Sequence, residues 1–190
     1  MPFFSQDWFS YHIPRWKIWL DNFVGKPNLH FMEIGSYEGR SCLWLLENVL
    51  TDPSSKITCV DWFWDQAYHE KNGKSIEDSF YENMKGYLDR VSVYCGKSFE
   101  TLLKLQKQPQ IFDFIYIDGS HEQTDVLNDV LLSFQLLKVG GLMVIDDYHY
   151  KSQGMNENPS VAIDAFLNVY QNKLKVIYMG CQVAFQKCSA

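Results

Sequence analysis

The sequence predicts an α/β protein with a Rossmann-like, doubly wound, mostly parallel seven-stranded sheet, helices on both faces and one antiparallel strand in a C-terminal hairpin. Three observations lead there. Short, nearly continuous apolar runs alternate with longer segments of helical periodicity, as in βα units whose strands are covered on both sides. The closing stretch LKVIYMGCQVAFQK holds two β-rich runs around Met179-Gly180, a hairpin signal. A chain of 190 residues, 46% hydrophobic and 21% charged, suits one such domain with one sizeable core.

Residues 1–28 precede the first strand. Trp8, Tyr11, Trp16, Trp19 and Phe23 suggest an amphipathic helix that Pro14 breaks or bends. This segment reads as a helical lid packed on the sheet edge, the alternative being a substrate-contacting or dimer-forming arm. Residues 29–190 form the main domain. Its strands are expected at Leu29–Ile34, Lys56–Asp61, Val91–Tyr94, Phe112–Asp118 and Leu142–Asp146. Helices are expected at Glu38–Leu50, Ser75–Leu88, Phe99–Gln106 and His121–Leu137, with Ser98 and Ser120 as N-caps and Gly140-Gly141 ending the fourth. A helix over Pro159–Asn172 leads into the hairpin. The stretches 62–73 and 148–159 read as long loops at the strand ends.

Composition removes several function classes. The net charge is -6 and no basic cluster exceeds a pair, which excludes a grip on nucleic acid or an anionic membrane through phosphate neutralisation. No run approaches the roughly 20 apolar residues of a membrane span, and the opening residues do not read as a secretory signal. Five cysteines without a C-x-x-C pair read as reduced thiols in a cytoplasmic setting. Oligomeric state is left open, a homo-oligomer included.

Ligands of such sheets bind at the carboxyl ends of the strands. After the first strand, Glu33-Ile34-Gly35-Ser36-Tyr37-Glu38-Gly39 is a glycine turn aimed at a helix N-terminus, suited to a carboxylate or an uncharged nucleoside. Asp61, ending the second strand, is placed to accept ribose hydroxyls. Asp118, with His121 three residues on, ends the fourth strand, and Asp146-Asp147 end the fifth. Three converging carboxylates would raise one another's pKa, and a hard divalent cation, Mg²⁺ or Mn²⁺, relieves that repulsion. The alternative is one capping aspartate with the others solvated.

The motifs MEIGSYEGRS, ITCVDWF, VYCGKSF, FDFIYIDGSHEQTDV and LLKVGGLMVIDDY, in this order, resemble the class I S-adenosylmethionine-dependent methyltransferases. Within them the chain is similar to the metal-dependent O-methyltransferases of catechol type and of macrolide sugars. The resemblance spans residues 29–186. It implies that Glu33, Gly35, Ser36, Tyr37 and Gly39 hold the methionine part of the cofactor, and that Asp61 holds the ribose. Trp62, Gly96, Lys97 and Ser98 would border the adenine, and Asp118 would border the cofactor as well as the metal. Asp118, Asp146 and Asp147 are implied as metal ligands. Catechol-type enzymes have Asp-Asn where this chain has Asp146-Asp147, so the third ligand is in doubt. His121 falls at the general-base position, and His149 is a second histidine for substrate contact. The expected reaction is methyl transfer to a hydroxyl of a small molecule, a sugar or glycan. Alternatives are a metal-independent methyltransferase of the same fold, a nicotinamide-dependent oxidoreductase, disfavoured by the missing G-x-G-x-x-G, and a non-catalytic cofactor-binding module.

Overall fold

A computed structural model of the protein describes residues 2–107, 112–151 and 158–190. Within these, seven strands form one sheet: β1 (His30–Ile34), β2 (Lys56–Asp61), β3 (Val91–Cys95), β4 (Phe112–Ile117), β5 (Leu137–Ile145), β6 (Leu174–Met179) and β7 (Val183–Lys187). Their order is β3-β2-β1-β4-β5-β7-β6. The first five are parallel, and β7 runs antiparallel to both β5 and β6. The expected architecture, with its one reversed strand, is therefore what the chain adopts. The order reverses between β1 and β4, so the connections leaving those strands diverge and open a crevice at their carboxyl ends.

Strand pleating sends alternate side chains to opposite faces. Phe31, Cys59, Phe114, Tyr116 and Val144 meet α2 (Arg40–Asn48), α4 (Ile76–Asn83) and the N-terminal segment. Met32, Ile34, Ile115, Ile117 and Met143 meet α5 (Ser98–Leu105), α6 (Gln123–Leu136) and α7 (Pro159–Tyr170) on the other face. No helix among the described residues is long and apolar enough to cross a membrane.

Several local expectations change. Pro14 does not break a helix. It lies in the first turn of α1 (Ile13–Trp19), where its missing N–H has no partner to lose, and a 3-10 turn over Ser10–His12 runs straight into it. The segment covers the middle of a sheet face rather than an edge. Trp16, fully buried, meets Phe114 and Tyr116 of β4 edge-on at centroid distances of 5.5 and 4.7 Å. The supposed loop 62–73 contains α3 (Gln66–Asn72), capped by the Asp65 carboxylate accepting from the Tyr68 N–H and ended by left-handed Gly73. The second expected helix stops at Asn83, short of Leu88.

Ser98 is the first residue of α5 and Lys97 its uncapped N-cap; Glu122, not Ser120, holds that position for α6, although the Ser120 hydroxyl accepts the Glu122 N–H at 3.2 Å. Gly140-Gly141 do not end a helix either. Leu136 does, and the glycine pair lies inside β5 beside a register shift against β4, with Gly140 at φ +86°. Residues 152–157 of the expected loop 148–159 lie outside the described residues.

Removing the Trp16 indole should therefore cost as much as emptying a core site. Trp16→Ala is expected to lower the free energy of urea unfolding by about 3–5 kcal/mol. A loss under about 1 kcal/mol would contradict the placement of this segment in the core.

Candidate functional site

The carboxyl ends of β1, β2, β4 and β5 open into one cavity of about 670 Å³. Gly35, Tyr37, Asp61, Trp62, Gly96, Lys97 and Ser98 line it on the β1–β3 side, and Asp118, His121, Asp146 and Asp147 on the β4–β5 side. Glu33, Ser36 and Gly39 are not in its wall. His149, exposed and with its ring beside Tyr148, is not in the wall either.

On the first side the turn after β1 is held against β4. Gly35 has φ +84°, and a Cβ there would fall 1.8 Å from the Asp118 carbonyl oxygen, so only glycine fits. Gly39, also left-handed, is required by packing: a Cβ would press on Phe80 and Met84 at 2.8–2.9 Å. Asp61 accepts the Tyr37 N–H at 2.7 Å and the Phe63 N–H at 2.6 Å, one on each oxygen, which ties the ends of β1 and β2 together and leaves lone pairs over. Glu33, fully buried, accepts the Ser41 hydroxyl on one oxygen. Its other oxygen and the Ser36 hydroxyl have no hydrogen-bond partner. Burial pushes the Glu33 carboxyl up to about 7. The Ser36 hydroxyl nonetheless favours the Glu33 carboxylate, so the two groups lie close together, buried beneath the glycine turn.

The second side concentrates acid. The Tyr116 hydroxyl lies between Asp118 and Asp146, 2.9 Å from Asp118 Oδ2 and in a short hydrogen bond to Asp146 Oδ2. One phenolic proton thus serves two carboxylates. Burial, then the charges of Asp146 and Asp147, pushes Asp118 well above the ordinary carboxylate range. Burial opposes ionisation of Asp146 too, but contacts from His12, Tyr116 and Gln182 outweigh it and hold that carboxyl below its usual value. Neighbouring carboxyls whose pKa values are driven apart mark a functional site. The third acid is turned away. Asp147, at φ +56°, directs Oδ2 to His121 Nε2 at 2.8 Å, and His121 stacks on Tyr150 with centroids 4.1 Å apart.

The three carboxylates therefore line one end of the cavity without forming a closed cage. Among the described residues only Glu33, Cys42 and Cys59 bring three ligand atoms within 4.8 Å of one another. Those lie in the core, where burial drives the Cys42 thiol well above its usual pKa, away from the thiolate a metal needs. The chemistry of Asp118 and Asp146, two hard-oxygen donors one hydroxyl apart with excess negative charge, fits a divalent cation. Asp147 lines the same cavity with Oδ2 committed to His121.

Other participants carried little signal. Trp8 and Tyr11 line the cavity, so the N-terminal segment walls the site. His12, fully buried, brings Nε2 to 3.4 Å from Asp146 Oδ2. Gln182 reaches the same oxygen from the β6–β7 turn. Asp129 was legible in hindsight as a charge on the Val126–Val130 face of α6. It is 1% exposed beneath Gly119, its oxygens make no close hydrogen bond, and burial, offset in part by the Ser98 hydroxyl, raises its pKa to about 7.

A carboxyl raised in the folded state stabilises fully below its unfolded pKa and loses that contribution as pH climbs toward the folded value. Asp129 should therefore make the protein less stable between about pH 4 and pH 7, by up to roughly 4 kcal/mol. Asp129→Asn is expected to flatten that decline in urea unfolding measured across the window. Parallel curves for the two proteins would contradict the burial of an ionising group there.

A family described as methyltransferase domain matches residues 32–148. An uncharacterized protein of Acanthamoeba polyphaga mimivirus is 29% identical over 137 residues, 68% of this chain and 56% of that protein, so the chain spans little more than half of that relative's length. Among solved structures, an O-methyltransferase from Bacillus cereus in complex with SAH superposes with a TM-score of 0.71 at 15% identity, over 96% of this chain and 84% of that one. TomG, an O-methyltransferase from Streptomyces achromogenes in complex with SAM, gives 0.69 at 14% identity, over 93% and 80%. MycE, from mycinamycin biosynthesis, in complex with Mg, SAH and mycinamycin VI, gives 0.67 at 14% identity, over 97% and 50%. At such identities the likeness is one of fold.

Proposed function

The chain belongs to this methyltransferase-domain family, and on that premise we propose that it is an S-adenosylmethionine-dependent O-methyltransferase, assisted by Mg²⁺ or Mn²⁺, acting on a hydroxyl of a small uncharged molecule such as a sugar or glycan. The observation that carries this reading is the pairing of Asp118 and Asp146, with His121 on Asp147 beside them, in the same cavity as Asp61 and the glycine turn.

S-adenosylmethionine supplies an electrophilic methyl group, so the protein's task is to hold and deprotonate the acceptor. The turn at Gly35–Gly39 and Asp61 would seat the amino-acid and ribose parts, with the buried Glu33 and Ser36 side chains beneath them. Asp118 and Asp146 would hold the ion, with Asp147 a third ligand through the oxygen not engaged by His121. A divalent ion held there would supply Lewis acidity, lowering the pKa of a hydroxyl.

With Asp147 accepting from its Nε2–H, we assign the imidazole of His121 as the acceptor of the substrate proton. Asp147 then stabilises the imidazolium. Burial, followed by the charge of Asp146, raises the Tyr11 phenol to about 12, so it stays protonated and donates to an acceptor oxygen. Trp8 and Tyr150 offer flat walls for a sugar face or an aryl ring.

The charge balance argues for an uncharged acceptor. The described wall carries four aspartates and one cation, Lys97, which lies over the Trp62 ring at the opposite end. Residues 152–157, SQGMNE, add no lysine or arginine. A phosphorylated or nucleotide-linked acceptor would find no cationic side chain at the acid end.

Specific features also support a metal-independent version: the His121–Asp147 pair acts as a base without an ion, and Asp146 already accepts on both oxygens. Chelation separates the two. In transfer of labelled methyl to a panel of neutral glycosides, sugar phosphates and sugar nucleotides, turnover is expected with neutral acceptors only. Chelator or Asp118→Asn should lower it at least about 100-fold, with S-adenosylhomocysteine affinity within about threefold of the parent. Full turnover in excess chelator would remove the metal, and preferred use of phosphorylated acceptors would overturn the charge argument.

A further inference from the structure

The carboxylate of Asp146 is heavily engaged, and its side-chain partners come from parts of the chain remote from it in sequence. Gln182, fully buried in the β6–β7 turn, donates from Nε2 to Asp146 Oδ2 at 2.7 Å. Its other end, Oε1, accepts the indole N–H of Trp16 at 3.0 Å. Tyr116 donates to the same Oδ2, and His12 approaches it at 3.4 Å. Asp146 Oδ1 accepts the N–H of Asp147 at 2.8 Å and retains a further lone pair.

The two ends of a glutamine amide have nearly the same shape, so packing alone does not choose between them. An indole N–H does, because it can only donate. Facing Trp16, the amide must present its carbonyl to the indole and its NH₂ to Asp146. The reverse would set a carbonyl against a carboxylate and an NH₂ against an N–H, leaving unpaired groups in a fully buried place. Trp16 itself is clamped edge-on by Phe114 and Tyr116.

We infer that Trp16 and Gln182 form a positioning relay that locks the Asp146 carboxylate with Oδ2 committed to the protein and Oδ1 left for a cation at the cavity. The N-terminal segment is then more than a cover: its tryptophan sets the orientation of a carboxylate on β5. This rests on the metal reading given above, and it concerns how a ligand is oriented rather than which residue binds.

The test measures Mn²⁺ alone, by the electron paramagnetic resonance of the free ion, on the full chain saturated with S-adenosylhomocysteine. Trp16→Phe deletes the N–H and keeps an edge-on ring; Gln182→Met removes the amide at similar volume. Each should weaken Mn²⁺ about tenfold, the usual effect of losing an outer partner of a metal ligand, while S-adenosylhomocysteine affinity by calorimetry stays within twofold. The double variant should be no weaker than Gln182→Met, because the two residues act in series. Phe114→Leu loosens the packing on Trp16 without touching the hydrogen bonds. It should lower the melting temperature and leave Mn²⁺ affinity unchanged.

Parental Mn²⁺ affinity in Trp16→Phe, or equal weakening in Phe114→Leu, would overturn the relay and leave the metal reading standing. A parent protein that never binds Mn²⁺ would overturn the metal reading and the relay with it.

Discussion

Two carboxylates side by side at the ends of adjacent parallel strands, Asp146 buried and Asp118 half-buried, repel each other, and here a single phenolic proton from Tyr116 is what lies between them. The register of β4 on β5 pairs Tyr116 with Val144 and Ile117 with Ile145, which brings Asp118 and Asp146 out at the same level. Neither acid can retreat, since the Asp146 N–H is bonded to the Ile117 carbonyl and the Asp118 N–H to that of Ile34. The sheet thus holds a concentration of negative charge that ordinary stability would disfavour. Much of the surrounding structure answers that charge: the Tyr116 hydroxyl, the Gln182 amide, the approach of His12, and the pairing of Asp147 with His121.

The same constraint explains why the N-terminal segment and the C-terminal hairpin, at opposite ends of the chain, converge on the site. The parallel strands supply acids at their carboxyl ends, and from the face beneath β4 contributes one donor, the Tyr116 hydroxyl. A second comes from the turn between the last two strands, the Gln182 amide that Trp16 of the N-terminal helix holds in place, and His12 approaches from the turn before that helix. Trp16 serves both purposes, filling the core with its rings and fixing an amide with its N–H. The other half of the cavity is built on different physics. There, backbone N–H groups hold Asp61, glycine permits the close approach of one strand end to another, and Glu33 and Ser36 lie buried beneath the turn.

Much of this was legible in the amino-acid order because parallel strands buried on both faces read as apolar runs, and acids at their ends stand out against them. Asp61, Asp118 and Asp146 were each visible as the first polar residue after such a run. Gly35 was visible too, although its reason, contact with the Asp118 backbone, depends on a pairing between strands that no local pattern reveals. At Gly39 the structure gives a packing reason for glycine, contact with Phe80 and Met84, that no local pattern reveals. Tyr116 looked like one more aromatic in a core strand, and His12 and Gln182 were single polar residues among apolar ones. Nothing in their neighbourhoods tells that residues some 170 positions apart meet at one carboxylate. Helix ends shifted wherever tertiary contact overrode a local cap signal, as at Ser98, Ser120 and Gly140-Gly141.

Anomalous diffraction from crystals grown with S-adenosylhomocysteine and Mn²⁺ bears most directly on the acid pair as a cation site. A single strong peak is expected in contact with an oxygen of Asp118 and with Asp146 Oδ1, at about the 2.0–2.2 Å of an octahedral divalent ion, beside the nucleoside. Density for the nucleoside with no peak between those two carboxylates, at saturating Mn²⁺, would contradict it.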